Sequence, residues 1–377
     1  MLQHATLINP HEILENRTVW IEDGKIVQIT TGTPTSTENW EVWDLAGACL
    51  LPAFIDTHIH GMGGFGPEQG TPQSLLQLSS VLAEQGVSAF CPTLYCARPV
   101  QMASLLKKLL PALGKETGAK IAGFHLEGPF ISPDKPGVMK PQDIAPANVK
   151  DFQQIYDAAE GNISLVTLAP ELPEIDPVIK FCLQHRIVVQ AGHTNATYEQ
   201  MQDAFKKGVR RVTHWGNAMS GLHQRQPGVF GAALVNPDIS CEVIADGRHI
   251  HPALLSLLRK VKPISQITAV TDALLPTAQT KGPLLANGEE VLLKEGVWKR
   301  KKDEVTAGSA LTMREAFAQL CLAGYTLPQA VSCTSTNAAL LLQLPGGVIQ
   351  PGAAADLVAL SPSYDLQHVW HHGNKIA

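Results

Sequence analysis

The chain has 377 residues, of which 45% are hydrophobic and 17% charged, so it can bury a large core and hold about two or three domains. Its net charge of −5 and the lack of any long Lys/Arg block argue against a nucleic-acid track or a polybasic membrane anchor. Seven scattered cysteines without a C-x-x-C pair exclude a disulfide framework and a thiolate zinc site. No leader pattern or membrane span is predicted, and we therefore expect a cytoplasmic protein.

The two ends of the chain are predicted to form one small β-sandwich domain. Residues 1–50 consist of short β-like pieces, and one of them, TVWIEDGKIVQI, carries an Asp-Gly hairpin signal. Residues 346–377 show the same pattern of short predicted strands and glycine turns. The interpretation leaves residues 51–345 as a second, larger domain.

The larger domain is predicted to be a (β/α)8 barrel of the TIM type, which makes the fold class α/β. Eight β-branched runs occur in order, namely AFIDTHIHG, VSAFCPTLY, KIAGFHLEGPF, ISLVTLAPE, IVVQAGHT, RRVTHWGNAM, ISCEVIADGRH and ITAVTDAL. Helical patterns separate them, for example PQSLLQLSSVLAEQG and YEQMQDAFKKG. Strands that are apolar on both faces, without a G-x-G-x-x-G after the first, favour a barrel over an open sheet. A β-hairpin insertion is predicted near residues 281–305.

Polar residues end most of these strands, where a barrel of this type has its active site. They are His58 and His60, His125 and Glu127, His193, His214, Asp246 and His249, and Asp272. A single histidine at a strand end is more often a hydrogen-bonded structural residue, and an aspartate there can simply cap the next helix. The repetition at six of eight strands is what favours a functional site.

The residue types predict a divalent metal centre. Imidazole and carboxylate without thiolate suit Zn, Fe, Mn or Co, whereas an all-oxygen Mg or Ca site does not use several histidines. Four histidines and Glu127 are too many ligands for one catalytic ion and enough for two ions bridged by the glutamate. Asp272 is predicted to take a proton from an activated water and deliver it to a leaving group.

Six strings give the chain a family resemblance, in the order HLEGPF, LAPE, AGHTNAT, THWGNAMSGLHQRQPG, IADGRHIHP and VTDAL. Together the strings resemble the N-acetylglucosamine-6-phosphate deacetylase family of the amidohydrolase superfamily. The resemblance extends over nearly the whole chain, from FIDTHIHG to PGAAADLVAL. Each string alone is weak, but six in order at barrel spacing are specific.

The resemblance implies roles for particular residues and a dimeric assembly. It implies metal ligation by Glu127, His193 and His214, a second ion on His58 and His60, acid/base catalysis by Asp272, phosphate binding by Asn217, the backbone NH of Ala218 and Arg225, and a sugar contact by His249. In dimeric relatives, some of the residues that bind the phosphate come from the neighbouring subunit. We therefore expect a homodimer, in which Arg225 can act across the interface.

Three positions depart from the pattern of the resembled family. Met139 stands where the family has a histidine that faces the substrate, and methionine cannot donate a hydrogen bond. Gly216, beside the unusual Trp215, replaces a bulky residue, and Ala53 replaces a common glycine before the first strand. The first two departures leave the identity of the sugar or its substituents open.

The predicted reaction is metal-dependent hydrolysis of the N-acetyl amide of N-acetylglucosamine 6-phosphate, which gives glucosamine 6-phosphate and acetate. The cofactor is one or two divalent ions, with Zn favoured over Fe, Mn and Co, and neither nucleic acid nor membrane is a partner. One alternative is the galacto epimer, and another is a different N-acyl substrate, against which Asn217 and Arg225 argue. A catalytically silent metal-binding or sugar-phosphate-sensing protein is a further alternative, against which Asp272 argues.

Overall fold

Eight parallel strands form a nearly closed barrel in the computed structural model, which describes residues 1–38 and 40–377. The strands are Phe54–Ile59, Val87–Leu94, Phe124–Glu127, Ile163–Leu168, Val188–Ala191, Arg211–Val212, Ser240–Ile244 and Ile267–Val270, with a short Lys120–Ile121 beside the second. Each pairs with its neighbour in chain order, and the amide of Asp272 donates to the carbonyl of His58 at 2.9 Å, which links the eighth strand to the first. The predicted α/β barrel is confirmed.

Helices surround the barrel and bury their apolar faces against it. They are Pro72–Glu84, Pro99–Leu109, Val149–Ala158, Ile175–Gln184, Tyr198–Lys206, Gly228–Val235, Pro252–Val261, Met313–Leu322, Leu327–Val331 and Asn337–Leu342, with a π-helical turn at Ser332–Thr336. The first begins after Thr71, whose hydroxyl accepts from the amide of Ser74, and it buries Leu75, Leu78 and Leu82. The helical spacing predicted for this segment and for Tyr198–Lys206 is confirmed.

A separate, mostly antiparallel sheet is built from both ends of the chain. Its strands are Leu2–Ile8, Ile13–Glu22, Lys25–Thr31, Trp43–Asp44, Cys49–Pro52, Leu357–Leu360, Leu366–His371 and Asn374–Lys375. The two ends meet where Leu357–Leu360 pairs antiparallel with Cys49–Pro52. A core cluster that includes Leu7, Leu50 and Trp370 is buried under the sheet, so the module has apolar packing of its own.

A third, four-stranded antiparallel sheet follows the eighth barrel strand and lies over the barrel mouth. Its strands are Leu285–Ala286, Glu289–Lys294, Val297–Arg300 and Thr306–Ser309. Trp298 is buried under it and its indole NH donates to the hydroxyl of Thr277 at 2.9 Å. Its last strand reaches back to the end of the eighth barrel strand, since the amide of Ser309 donates to the carbonyl of Asp272 at 2.9 Å. Among the described residues, no helix combines the length and apolarity needed to cross a membrane.

Candidate active site

The carboxyl ends of the barrel strands open into a cavity of about 340 Å³. Eight of the predicted site residues line it, namely His60, Glu127, His193, His214, Asn217, Ala218, His249 and Asp272. His58 lies one layer deeper and is fully buried. Arg225 is not among the lining residues, because it lies in an exposed loop at residues 221–226.

The backbone is strained where these side chains leave their strands. His193, His214 and Asp272 have φ angles of 46°, 26° and 49°, in the left-handed region that costs non-glycine residues free energy. Gly192 precedes His193, and a Cβ there would lie only 1.9 Å from a methyl carbon of Thr213. Only glycine fits at this point, and the close approach of the fifth and sixth strands fixes where His193 enters the cavity.

All four predicted histidine ligands are held in the same way through their Nδ1 atoms. The acceptors are a carboxylate oxygen of Glu242 for His58 at 2.7 Å and backbone carbonyls for the other three: Thr93 for His60, Lys135 for His193 and Asn217 for His214, at 3.1, 2.9 and 3.1 Å. A carbonyl or carboxylate oxygen only accepts, so each Nδ1 carries the proton. Because the hydrogen bond at Nδ1 fixes each ring, the Nε2 atom on its other side points toward the centre of the cluster.

Glu127 lies between the two pairs of histidines. Its Oε1 is 3.0 Å from Nε2 of His193 and 3.1 Å from Nε2 of His214, and its Oε2 is 3.3 Å from Nε2 of His60. Asp272 is 3.3 Å from Nε2 of His60 and 3.5 Å from Nε2 of His58. Two groups of three buried ligand atoms result, His58 with His60 and Asp272, and Glu127 with His193 and His214.

This donor set fits divalent metal ions. The Nε2 atom of His58 is buried without any hydrogen-bond partner, and the other Nε2 lone pairs face carboxylate oxygens, which are acceptors as well. Ligand atoms that share one zinc ion through bonds of about 2.0–2.1 Å lie roughly 3.3 Å apart, close to the separations found around Glu127. The arrangement therefore needs either added protons or cations at its centre.

The charges of the cluster shift its pKa values in opposite directions. Burial opposes the charged forms, but the carboxylates of Glu242, Asp272 and Glu127 outweigh it and raise the pKa of His58 to about 10. Burial also opposes the charged forms of His60 and His193, but the carboxylates of Glu127 and Asp272 raise both pKa values. Burial likewise opposes ionisation of Glu127, yet the adjacent histidines hold its pKa well below the usual range. Without metal, these shifts favour protons on His58, His60 and His193 and a negative charge on Glu127.

A buried network beneath the cavity was not predicted from the sequence. Glu242 on the seventh strand accepts hydrogen bonds from His58 and from the hydroxyl of Thr213 at 2.6 Å, and it pairs with Arg211 at 3.4 Å. Its side chain is completely buried. The available signal was a single carboxylate inside the apolar run SCEVI, in a strand that is enclosed on both faces.

Of the residues predicted to bind the sugar phosphate, Asn217, Ala218 and His249 line the cavity, whereas Arg225 does not. Nδ1 of His249 is 2.6 Å from Oδ2 of Asp246, and although burial opposes it, this hydrogen bond raises the pKa of His249. Asn217 reaches the cavity in the turn after His214. Arg225 is exposed and stands apart from both. Met139, which departs from the family pattern, lines the cavity and is 3% exposed, packed in one cluster with Ile131 and Trp298.

Other sequence features lie away from the mouth. His125 is buried below it and bonded to Thr93 and Thr167, which is a structural role. Two of the C-terminal histidines, His371 and His372, approach Asp356 in the terminal sheet, with Nδ1 to carboxylate distances of 3.1 and 3.7 Å. A surface groove of about 800 Å³ also lies on the terminal sheet and contains none of the predicted site residues.

Comparison with known proteins agrees with this geometry. The amidohydrolase family profile matches residues 49–376. The chain is 32% identical over 368 residues to N-acetylglucosamine-6-phosphate deacetylase of Bacillus subtilis, which covers 96% of this chain and 93% of the relative. It is 30% identical over 377 residues to N-acetylgalactosamine-6-phosphate deacetylase of Escherichia coli O157:H7, covering 99% and 98%.

Solved structures lead to the same family. A structure of N-acetyl-D-glucosamine-6-phosphate deacetylase from Mycobacterium smegmatis, in complex with N-acetyl-D-glucosamine-6-phosphate, superposes with a TM-score of 0.93 at 27% identity, covering 99% of this chain and 98% of that one. The enzyme of the same name from Thermotoga maritima gives a TM-score of 0.87 at 28% identity, covering 99% and 98%. The chain therefore belongs to the amidohydrolase family and is a hydrolase of the N-acetylglucosamine-6-phosphate deacetylase type.

Proposed function

We propose that this chain hydrolyses the N-acetyl amide of N-acetylglucosamine 6-phosphate at the barrel mouth, in a metal-dependent reaction that gives glucosamine 6-phosphate and acetate. The observation that carries the proposal is the convergence of four histidines and two carboxylates on one cavity, with Glu127 between the two histidine pairs. The similarity to sugar-phosphate deacetylases over 96% of the chain supports the choice of substrate class.

The metal is proposed to be held by Glu127, His193 and His214, with a second ion position formed by His58, His60 and Asp272. A divalent ion at such a site supplies Lewis acidity that polarises a carbonyl group and acidifies water, and zinc is the first candidate. The hydrogen bonds to Nδ1 of each histidine fix the ring orientation that this ligation requires.

Asp272 is proposed to move the proton. One of its carboxylate oxygens accepts a proton from the water that attacks the acetyl carbon, and the same proton then passes to the departing nitrogen. A carbon–oxygen bond forms, the carbon–nitrogen bond breaks, and acetate and the free amine leave. The backbone strain at Asp272, with φ of 49°, supports a functional reason for its position.

Phosphate and sugar contacts are proposed for the outer part of the cavity. Asn217 and the backbone NH of Ala218 face the phosphate, and His249 contacts the sugar. Arg225 lies in an exposed loop outside this cavity, which supports a role at the cavity of a neighbouring subunit in a homodimer. A planar guanidinium there gives two parallel hydrogen bonds to phosphate oxygens.

The galacto epimer is a second candidate substrate, because the Escherichia coli relative that carries that name matches 99% of this chain. The test is acetate release by the zinc-loaded chain from N-acetylglucosamine 6-phosphate, its galacto epimer and unphosphorylated N-acetylglucosamine. We expect the highest kcat/KM for the first sugar and the lowest for the last. A preference for the galacto epimer selects the second candidate, and no acetate from any of the three overturns the proposal.

A further inference from the structure

Tyr95 carries a buried hydroxyl group that nothing in the structure satisfies. The residue follows directly after the second barrel strand and is 9% exposed, and its hydroxyl is enclosed with no hydrogen-bond partner among residues 1–38 and 40–377. Unpaired buried polar atoms cost about 1–3 kcal/mol each and are rare in native structures. A ligand that accepts a hydrogen bond from this hydroxyl would explain why a buried donor without a partner is present here.

The position of Tyr95 connects this hydroxyl with the reaction. Its ring lies parallel to the ring of His60, with centroids 3.8 Å apart and planes 4° apart, and it lines the same cavity as Glu127 and Asp272. The phenol therefore lies next to one of the proposed metal-binding residues, where an acyl group would be bound. The stack holds the phenol ring against one neighbour, and because the hydroxyl is enclosed, the adjoining cavity wall has to move before a ligand can accept from it.

The phenol is protonated at neutral pH, because the ordinary pKa of tyrosine is about 10. The neighbouring wall is apolar, because Met139 and Leu274 belong to the same buried cluster as Tyr95. One other hydroxyl group, that of Thr306, belongs to the described residues that line the cavity.

We infer that the hydroxyl of Tyr95 donates a hydrogen bond to the carbonyl oxygen of the substrate's acyl amide and strengthens it as negative charge builds on that oxygen. The inference rests on the proposed function and adds a substrate-contacting residue to it. No proton is transferred in this contact, so Tyr95 is unchanged after each turnover. Because the acceptor gains charge only during reaction, the contact lowers the barrier more than it tightens substrate binding.

The test is Tyr95→Phe, which removes one oxygen atom and keeps the ring that stacks on His60. We expect kcat for acetate release to fall about a hundredfold or more, with a smaller change in KM and unchanged bound metal by elemental analysis. The melting temperature of the metal-free chain is expected to stay equal or rise, because an unpaired buried hydroxyl is lost. Wild-type kcat in this variant, or a loss of bound metal, overturns the inference.

Tyr325→Phe is the matched control. Its hydroxyl is also buried but donates to the carbonyl of Leu255 at 3.1 Å, outside the cavity. This variant is expected to lose stability and to keep wild-type kcat. If both variants slow acetate release equally, the effect is not specific to the cavity and the inference fails.

A binding measurement separates failure of this inference from failure of the proposed function. Calorimetry on the zinc-loaded Asp272→Asn chain, with and without Tyr95→Phe, gives the affinity for N-acetylglucosamine 6-phosphate. We expect a weakening of about fivefold to tenfold on loss of the hydroxyl. An inactive wild-type chain refutes the proposed function, whereas equal affinities of the two chains refute the contact made by Tyr95.

Discussion

Glu242 is predicted to hold His58 in its metal-binding orientation while it neutralises Arg211. Two substitutions separate these tasks, because Glu242→Gln keeps the shape and removes the charge, whereas Glu242→Leu removes both. In the native chain the carboxylate accepts from His58 at 2.7 Å and from Thr213 at 2.6 Å, and no part of its side chain is exposed. Water therefore cannot replace the carboxylate, either as the acceptor for His58 or as the partner of Arg211.

The expected magnitudes follow from this burial. Glu242→Leu leaves the charge of Arg211, whose side chain is 4% exposed, without a partner, which costs about 3–5 kcal/mol in the free energy of unfolding. Glu242→Gln also removes the charge that faces Arg211 but keeps an amide oxygen as an acceptor, so it is expected to cost less than Glu242→Leu. Because a neutral amide holds His58 less firmly, zinc affinity is expected to fall about tenfold to a hundredfold.

Urea unfolding of the metal-free chain gives the stability change, and competition with a chromophoric chelator gives the zinc affinity. The double variant Arg211→Met with Glu242→Leu is the control, because it removes both buried charges and should recover most of the lost stability. Unchanged zinc affinity in Glu242→Gln refutes the orienting role. A loss below about 1 kcal/mol in Glu242→Leu refutes the buried ion pair.

Three further predictions concern the proton, the metal and the sugar side of the cavity. Asp272→Asn should slow acetate release about a hundredfold to ten-thousandfold while zinc remains bound at Glu127, and near-wild-type rates would contradict its role. Zinc binding should release protons and tighten as pH rises, because the pKa of His58 is raised to about 10 and only neutral imidazole ligates; calorimetric heats that do not depend on the buffer would contradict this. Since the pKa of His249 is raised, its pairing with Asp246 stabilises the fold fully below the ordinary histidine pKa of about 6.5, and this is lost as pH rises through the raised value. Asp246→Asn should therefore lower the melting temperature most near pH 6 and least near pH 9, and a constant difference would argue against the pairing.

The barrel was predictable because each of its strands has a recognisable local sequence pattern. Most of the apolar runs end in a polar residue, and the carboxyl ends of parallel strands meet at one rim, so the strand ends at His58, Glu127 and Asp272 were expected to converge. The structure brings them together as the pattern indicates. The similar short strands and glycine turns at the two ends predicted one shared domain, but the pairing of Cys49–Pro52 with Leu357–Leu360 was not predicted, because contacts so distant in sequence leave no local signal.

The parts that were not predicted depend on contacts between strands. The sequence marks Glu242 and Arg211 only as charges within apolar runs, and their meeting under His58 depends on the register of the sixth and seventh strands. In the sequence, Tyr95 is only an aromatic residue at a strand end. Its stack on His60 and its unpaired hydroxyl are visible only in the structure. The exposed position of Arg225 also follows from the conformation of its loop and from no feature of its spacing.

The most direct measurement for the central proposal is acetate release from N-acetylglucosamine 6-phosphate by the chain stripped of metal and then titrated with zinc. We expect the stripped chain to release no acetate and one or two equivalents of zinc to restore the activity. Glu127→Gln, which removes the carboxylate shared by both histidine pairs, should stay inactive at the same zinc concentration. Full activity in the stripped chain, or none in the reloaded one, would contradict the account.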